Sequence, residues 1–203
     1  MRIVRKNTIS ESDHLYILGD VFDRSSHNPN PVDLYFNIER LGKRCDVIRG
    51  NHDHWLAMYI LEYYALPERK RSKIAPYSYN SFQLLQERLT PVDLQNLANT
   101  ILSWPVQKSV KVKEEKYLLA HAMTSAPGVI KVEDYYLMVH LGIIFICTMV
   151  LPATYLYAVI QISMMVVYGK IEKKNLYIID CGCGFSSGRL GCMCLETKEE
   201  LYV

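Results

Sequence analysis

The sequence predicts an α/β fold with mixed sheets, in which strands alternate with helices and strand pairs follow. Two observations carry this prediction. Short apolar runs at residues 14–19 and 46–48 each end in a polar loop, as buried strands do. Asn-Pro at residues 30–31 and Thr-Pro at residues 90–91 are typical of helix starts, because Asn or Thr caps the helix and Pro fits its first turn. Folds of this class place their ligands in the loops that follow strands.

The first half of the chain is expected to contain two strands, each followed by a helix. The strand at residues 14–19 should be buried. The first helix should run from residue 30 to about residue 43, and the second from 55 to 65, after the strand at 46–48. Residues 67–78 are basic and irregular, which favours a solvated loop, with contact to a substrate as the alternative.

The second half of the chain is expected to contain one helix and several strands. The helix that starts at residue 90 should end near Pro105. Residues 106–112 and 116–120 predict a hairpin, since two strand-like runs flank a short polar turn. Three further runs predict the last strands of the fold: residues 175–180, 190–195 and 200–203.

Composition indicates a globular protein without a nucleic-acid surface. The chain has 203 residues, of which 50% are hydrophobic and 22% are charged, and a formal net charge of +2. This balance fits a packed core and provides no basic stripe for nucleic acid. The first 13 residues contain no apolar stretch of signal-peptide length. We therefore expect a cytoplasmic protein whose six cysteines are thiols.

Two Cys-x-Cys pairs, at residues 181–183 and 192–194, leave two interpretations open. Four thiolates could hold a structural zinc ion. The spacing within each pair is one residue, whereas zinc sites use about two to four, so the pattern favours paired strands that carry small apolar residues.

Two short motifs place chemically active side chains directly after predicted strands. GDVFDRS occupies residues 19–25, and RGNHD occupies residues 49–53. They offer carboxylate, amide and imidazole groups, which bind hard and borderline divalent metals, and guanidinium groups, which bind phosphate. Such a set suits phosphoester hydrolysis, because divalent metals can stabilise both the attacking and the leaving oxygen.

Together the two motifs resemble those of the calcineurin-like metallophosphoesterases, and most closely those of the bacterial serine/threonine protein phosphatases. The resemblance implies an α/β/β/α sandwich of two mixed sheets flanked by helices, in a single domain over residues 1–203. It implies an enzyme that hydrolyses phosphoserine, phosphothreonine or a small phosphoester. Residues 1–136 and 170–203 are family-like, whereas residues 137–169 form an anomalous apolar segment.

The resemblance also implies two divalent metal ions, which would be manganese, iron or zinc. Asp20 would bridge both metals through its carboxylate, and Asn51 would give its amide oxygen to the second metal. His121, which directly follows the predicted strand at residues 116–120, would be a further ligand of that second metal. Asp180 and the glycines that follow it resemble the loop after the closing strand of the family.

A proton donor and a phosphate clamp are implied as well. His52 would protonate the leaving oxygen, and Asp23 would orient it. Arg24 and Arg49 would hold the phosphate oxygens and offset the charge that develops on them. The implied substrate is a phosphorylated protein or a small phosphoester, with no nucleic-acid partner.

Two motifs of the family are missing from this sequence. An Asp-x-His motif is expected upstream of residue 19, and a Gly-His motif shortly before the closing strand, and neither is present. We therefore expect the chain to begin inside the domain, incomplete at its N-terminus, and to hold at most one metal. A catalytically impaired fragment is the alternative to an active phosphatase.

Residues 141–169 contain no charged side chain, and three interpretations of them remain open. The segment is long enough for a transmembrane helix, which would anchor the protein in a membrane and exclude an intact sheet around it. The degeneracy of the genetic code also allows a Gly-His if residues 138–168 are translated in a shifted frame, which is the hypothesis we favour. As part of one fold, the segment would form a late strand and an apolar helix packed on the sheets.

Overall fold

The computed structural model describes five stretches of the chain: residues 10–23, 30–121, 156–159, 176–179 and 188–202. These residues fall into two compact units. The first unit is Leu15–Pro105, and the second contains the described residues from Val106 onward together with residues 10–14. Whether the chain is a single domain over residues 1–203 stays a prediction.

Within its described residues, the first unit combines a parallel pair of strands with several helices. The strands are β1 (Leu15–Ile17) and β2 (Cys45–Val47), and a short 3₁₀ helix at Gly42–Arg44 precedes β2. The α-helices follow in chain order: α1 (Pro31–Leu41), α2 (Asn51–Ala65), α3 (Glu68–Arg71), α4 (Ser81–Gln86) and α5 (Pro91–Ser103). Strands and helices therefore alternate as the sequence predicts.

β1 and β2 run parallel, so their carboxyl ends lie side by side. Leu15 pairs with Cys45, and Ile17 pairs with Val47. The pairing continues one residue further, where the Ile48 N–H donates to the Ile17 carbonyl at 2.8 Å. Because GDVFDRS follows β1 and RGNHD follows β2, this pairing brings the two motifs to the same edge of the sheet.

Two of the helices begin where their capping residues predict. Asn30 accepts a hydrogen bond from the Asp33 N–H at 3.1 Å at the start of α1. Thr90 and Asp93 form a reciprocal capping box at the start of α5. Helix α1 ends slightly earlier than expected, because the φ of +53° at Gly42 does not continue a right-handed helix.

Helix α2 begins at Asn51, four residues before the predicted start at Trp55. The cause is Asp53, which lies at the third helical position and accepts a hydrogen bond from the Gly50 N–H at 2.9 Å. Asn51 and His52 therefore lie in the first turn of a helix and not in a loop.

The core of the first unit lies between α2 and α5. Leu56 and Ile60 of α2 are fully buried, as are Leu94, Leu97 and Ile101 of α5. Each such side chain stabilises the fold by roughly 1.5–3 kcal/mol relative to an exposed one. This packing anchors α2, whose first turn carries two of the predicted site residues.

The basic stretch at residues 67–78 is more ordered than the sequence predicts. It begins with the short helix α3, and α4, which no sequence signal indicated, follows it. Arg71 lies over the rings of Tyr63 and Tyr64, and its Nε donates to the Leu66 carbonyl at 3.1 Å. These contacts tie the stretch to α2.

The second unit is built on strands: β3 (Gln107–Val112), β4 (Glu115–Ala120), β5 (Leu156–Val159), β6 (Leu176–Ile178), β7 (Gly191–Met193) and β8 (Glu200–Tyr202). β3 to β6 form one sheet in that order, and β7 pairs with β8. β3 and β4 are antiparallel, whereas β4, β5 and β6 are parallel neighbours. The predicted hairpin is confirmed, and the α/β class with mixed strand directions is confirmed.

The apolar segment at residues 141–169 lies outside the described residues except for β5. β5 is a strand between β4 and β6, so one helix cannot run through the whole segment. This strand lies where a late strand was expected, while the expected apolar helix falls outside the described residues. In the part of the chain that the structure describes, no helix is long and apolar enough to cross a membrane.

Only one of the two Cys-x-Cys pairs can be located. Cys192 lies in β7 and is exposed, and Cys194 follows directly after that strand. β7 pairs with β8, which carries no cysteine, so whether the two Cys-x-Cys pairs lie on paired strands stays a prediction. The other pair, at residues 181–183, lies outside the described residues.

Candidate functional site

The candidate site lies at the edge of the β1–β2 pair, where the two motif loops meet. Leu18, after β1, is buried, and the chain then turns through Gly19 and Asp20, whose φ angles are +89° and +55°. A positive φ is common for glycine but uncommon for aspartate, so the surroundings must stabilise this conformation of Asp20. The stabilising contacts come from the second loop.

Asp53 joins the two loops through backbone hydrogen bonds. Its carboxylate accepts from the N–H groups of Asp20 and Val21, each at 2.8 Å, and of Gly50 at 2.9 Å. The residue is 1% exposed. Because three donors meet one buried carboxylate, the first loop is held firmly against the start of α2. No role of Asp53 is among those predicted from the sequence, although its capping distance from Gly50 is a signal that could have indicated one.

Gly50 lies so close to Asp20 that no larger residue fits between the loops. A Cβ atom at residue 50 would lie 2.3 Å from Asp20 Oδ1 and 2.6 Å from the Asp20 backbone nitrogen. Both distances are far inside van der Waals contact. The two motifs can therefore meet at this distance only if residue 50 is a glycine.

Asp20 and Asn51 bring oxygen donors to the same junction. Asp20 Oδ1 accepts a hydrogen bond from the His52 backbone N–H at 3.1 Å, which places this carboxylate at the N-terminus of α2. Asn51 is the first residue of that helix and is 3% exposed. The two predicted metal ligands of the first unit therefore lie on adjoining segments.

His52 and Asp23 form a buried pair. His52 Nδ1 lies 3.0 Å from Asp23 Oδ2, and both side chains are 1% exposed. An ionised carboxylate can only accept hydrogen bonds, so we assign a proton to Nδ1. Among the described residues, His52 Nε2 has no hydrogen-bond partner, and it lies 4.0 Å from Asp20 Oδ2.

Two hydroxyl groups complete the surroundings of Asp23. The Tyr77 hydroxyl donates to Asp23 Oδ2 at 2.8 Å, and the Ser81 hydroxyl donates to Asp23 Oδ1. Burial is the larger cause that raises the pKa of Tyr77, and the negative charge of Asp23 is the next. The Tyr77 hydroxyl therefore stays protonated and donates. Neither residue is predicted from the sequence, because they lie 54 and 58 positions from Asp23 and no local pattern links them to it.

Aromatic rings flank the imidazole of His52. The ring centroid of Trp55 lies 4.9 Å from that of His52, and the ring centroid of Tyr79 lies 4.8 Å from it. Both flanking side chains are half-buried. They pack against the imidazole and limit its movement, and the hydrogen bond to Asp23 selects the orientation in which Nδ1 faces that carboxylate.

Arg49 is held at the C-terminal end of α5. Its Nη1 donates to the Leu102 carbonyl at 2.6 Å, and its backbone N–H donates to the Pro105 carbonyl at 2.8 Å. A cation is favourable at that end of a helix. Burial, and then the charge of Arg49, lowers the pKa of His54. Arg24 lies outside the described residues.

His121 belongs to the second unit. It directly follows β4 and is 3% exposed. Asp20 and Asn51, which are predicted to share a metal with it, belong to the first unit. Asp180 lies outside the described residues.

The possible metal ligands in the first unit fit part of the coordination shell of a divalent metal. The carboxylate of Asp20 and the amide of Asn51 are oxygen donors of the kind that hard divalent ions prefer. The buried Nε2 of His52, which lacks a hydrogen-bond partner among the described residues, adds a polar atom at the same place. Across the described ranges, however, no group of three or more His, Cys, Asp or Glu side chains is arranged to hold a metal. The described residues therefore fit a partial coordination shell.

Comparison with protein families matches the chain to calcineurin-like phosphoesterases, over residues 1–148. The matched residues include both motif loops and β4. A search of curated proteins finds no significant match. Proteins of the matched family are metal-dependent hydrolases of phosphoesters. Because the match covers more than half of the chain, this protein belongs to the calcineurin-like phosphoesterase family.

Proposed function

We propose that this protein is a metal-dependent phosphatase whose substrates are phosphoserine or phosphothreonine in proteins. The buried His52–Asp23 pair beside Asp20 is the observation that carries the proposal, because it sets a proton donor next to a carboxylate suited to a metal. Membership of the family supports the reaction class. The resemblance of GDVFDRS and RGNHD to the bacterial serine/threonine phosphatases supports the substrate class.

In the proposed reaction His52 is the general acid. A water oxygen forms a bond to phosphorus while the bond from phosphorus to the ester oxygen breaks. The ester oxygen takes a proton from Nε2 of doubly protonated His52, which keeps its other proton on Nδ1. The proton lost by the water goes to solvent, from which His52 is protonated again. Asp23 accepts the hydrogen bond from Nδ1, which orients the ring so that Nε2 lies on the side of Asp20.

Asp20 and Asn51 would hold a divalent metal in this unit. When bound, such a metal supplies a Lewis acid that offsets the negative charge of the phosphate. Arg49 and Arg24 would bind phosphate oxygens through charge-assisted hydrogen bonds. The prediction that His121 is a further metal ligand rests on the sequence resemblance.

A phosphatase assay on the full chain tests this proposal. With Mn²⁺ added, the protein should hydrolyse p-nitrophenyl phosphate and a phosphothreonine peptide, and EDTA should abolish turnover. Asp20→Asn and His52→Asn should each lower kcat by about a hundredfold or more. Arg69→Ala, an exposed change on α3, is the matched control and should leave kcat unchanged.

Two outcomes would count against the proposal. Absence of turnover with Mn²⁺, Fe²⁺ and Zn²⁺ alike would overturn it. Turnover of p-nitrophenyl phosphate without turnover of the peptide would overturn the substrate class and leave the reaction class standing.

A catalytically impaired member of the family is the second candidate. The observation that favours it is that no Gly-His occurs between residue 121 and β6, where the family resemblance requires one. Such a protein would keep the fold and bind at most one metal, without turnover. Calorimetric titration with Mn²⁺ beside the phosphatase assay separates the candidates, since binding without turnover supports the impaired protein.

A further inference from the structure

We propose that Tyr77 and Ser81 are positioning residues for His52. Together they fix the Asp23 carboxylate, and the fixed carboxylate holds the imidazole in one orientation, with a proton on Nδ1 that donates to Asp23. The inference rests on the proposed function, in which His52 delivers a proton, and extends the site to residues that lie in neither motif.

The two oxygens of the Asp23 carboxylate have different partners. Oδ2 accepts from His52 Nδ1 at 3.0 Å and from the Tyr77 hydroxyl at 2.8 Å. Oδ1 accepts from the Ser81 hydroxyl. The torsion that turns a carboxylate has a broad energy minimum, so a carboxylate with a single partner can swing. With donors on both oxygens, Asp23 cannot swing without breaking at least one of these bonds.

Because these groups are buried, the loss of one hydrogen bond to Asp23 would not be compensated by water. The side chains of Asp23 and His52 are 1% exposed, and Ser81 is equally buried. Water cannot readily replace a donor that is removed from such a place, so loss of either hydroxyl leaves part of a charged carboxylate unsatisfied. The carboxylate would then turn toward other donors, and its hydrogen bond to His52 would weaken.

The core of the first unit holds both hydroxyl groups in place. Ser81 is the first residue of α4, and the next residue, Phe82, is part of the buried core. The ring centroid of Tyr77 lies 5.1 Å from that of Tyr59 and 5.9 Å from that of Tyr79. Because core packing fixes the Tyr77 and Ser81 hydroxyls, these hydroxyls can in turn fix the position of the Asp23 carboxylate.

Tyr77 and Ser81 act through Asp23 and not on the substrate. Both donate to the carboxylate that contacts Nδ1, whereas the proton in the proposed reaction leaves from Nε2. Their removal should therefore impair proton delivery more than it impairs binding of the substrate. This difference separates a positioning role from a general effect on stability.

The dependence of turnover on the leaving group tests the proposal in active protein. A general acid matters more for a poor leaving group than for a good one. Tyr77→Phe and Ser81→Ala should lower kcat for phenyl phosphate by about tenfold or more, should lower it much less for p-nitrophenyl phosphate, and should leave KM nearly unchanged. Tyr63→Phe and Ser103→Ala, which remove hydroxyls that do not contact Asp23, should leave the ratio of the two rates unchanged.

A second readout needs neither turnover nor metal. In the wild-type protein, the proton on His52 Nδ1 should give a downfield, slowly exchanging NMR signal, assigned by its loss in His52→Asn. The signal should move upfield or broaden in Tyr77→Phe and Ser81→Ala, and it should persist in Tyr63→Phe. Ser81→Thr keeps a hydroxyl at this position and should restore the signal.

The outcomes distinguish this inference from the proposed function. A wild-type protein without turnover, in which both variants lose the Nδ1 signal, would overturn the proposed function and support the positioning role. Equal losses of kcat on the two esters, with an unchanged Nδ1 signal, would overturn the positioning role and leave the proposed function standing. If Ser81→Ala does not fold, Tyr77→Phe decides, because it keeps the packed ring and removes only the hydroxyl.

Discussion

Asp53 Oδ2 accepts a hydrogen bond from the backbone N–H of Asp20 at 2.8 Å, across 33 positions of sequence. The same carboxylate oxygen accepts from the Gly50 N–H and so starts α2. One buried side chain therefore holds Asp20 at a positive φ and begins the helix that carries Asn51 and His52. The geometry of the candidate site depends on these backbone hydrogen bonds.

Asp53→Asn should lower the free energy of unfolding by about 2–4 kcal/mol, because an amide has one acceptor oxygen and turns its NH₂ group toward backbone donors. Urea unfolding measures this change. Asp33→Asn, in the exposed first turn of α1, is the control and should cost less than about 1 kcal/mol. Equal stability of the Asp53→Asn and wild-type proteins would show that these bonds do not hold the loops together.

Gly50→Ala should force the two motif loops apart. The added Cβ would meet Asp20 Oδ1 at 2.3 Å, and relief of this clash should cost about 1–3 kcal/mol and displace the Asp20 carboxylate. Gly42→Ala is a matched control. An alanine at the positive φ of residue 42 should lower the free energy of unfolding by about 1–3 kcal/mol, but no atom lies close to the new Cβ. Both variants should unfold at lower urea, but only Gly50→Ala should lose phosphatase activity. Wild-type kcat in Gly50→Ala would contradict the close approach of the loops.

Arg49→Lys should raise KM for p-nitrophenyl phosphate by about tenfold, because one charge-assisted hydrogen bond contributes about 1.5 kcal/mol and lysine lacks the guanidinium fork. The hydrogen bond to the Leu102 carbonyl fixes the position of the Arg49 guanidinium. A lysine at this position therefore cannot take over that position by a change of its rotamer. Steady-state kinetics measures the effect, with Arg69→Lys on the exposed surface of α3 as the control. An unchanged KM would indicate that Arg49 stabilises the C-terminal end of α5 and does not bind the phosphate.

His54 should make folding stability depend on pH. Burial, and then the charge of Arg49, lowers the pKa of His54 in the folded state below its ordinary value. The unfolded chain therefore binds more protons than the folded chain as pH falls through about 6.5, and stability is lost on the acid side of that value. His54→Gln should weaken this loss, which urea unfolding at about pH 7.5 and about pH 5.5 would detect. The same pH dependence in both proteins would exclude His54 as its source.

The nucleotide sequence that encodes residues 138–168 should contain a Gly-His codon pair in a shifted frame. The reason is that this stretch carries no charged residue from 141 to 169, at the point where the family resemblance requires a Gly-His. Resequencing the gene checks this directly. Stop codons in the shifted frame, or the absence of the codon pair, would end the hypothesis.

Much of the fold could be predicted because its signals are local. Asn30 and Thr90 marked the starts of α1 and α5, since a capping side chain acts on backbone groups within three residues of itself. The predicted start of α2 lies four residues too late, because the polar composition of RGNHD is typical of a loop, whereas Asp53 caps the helix at Gly50. Helix α4 carries no side-chain cap and is short, so its own sequence contains no strong signal.

The sequence by itself determined the alternation of strands and helices, the residues that follow each strand, and the resemblance that points to phosphoester chemistry. Only the tertiary structure decided that Asp53 joins the two loops and that Tyr77 and Ser81 meet at Asp23. The physical reason is the range of the interactions. A cap or a strand pattern acts between neighbours in sequence, whereas the positions of these donors depend on how α4 and the residues before it pack against α2 and α5.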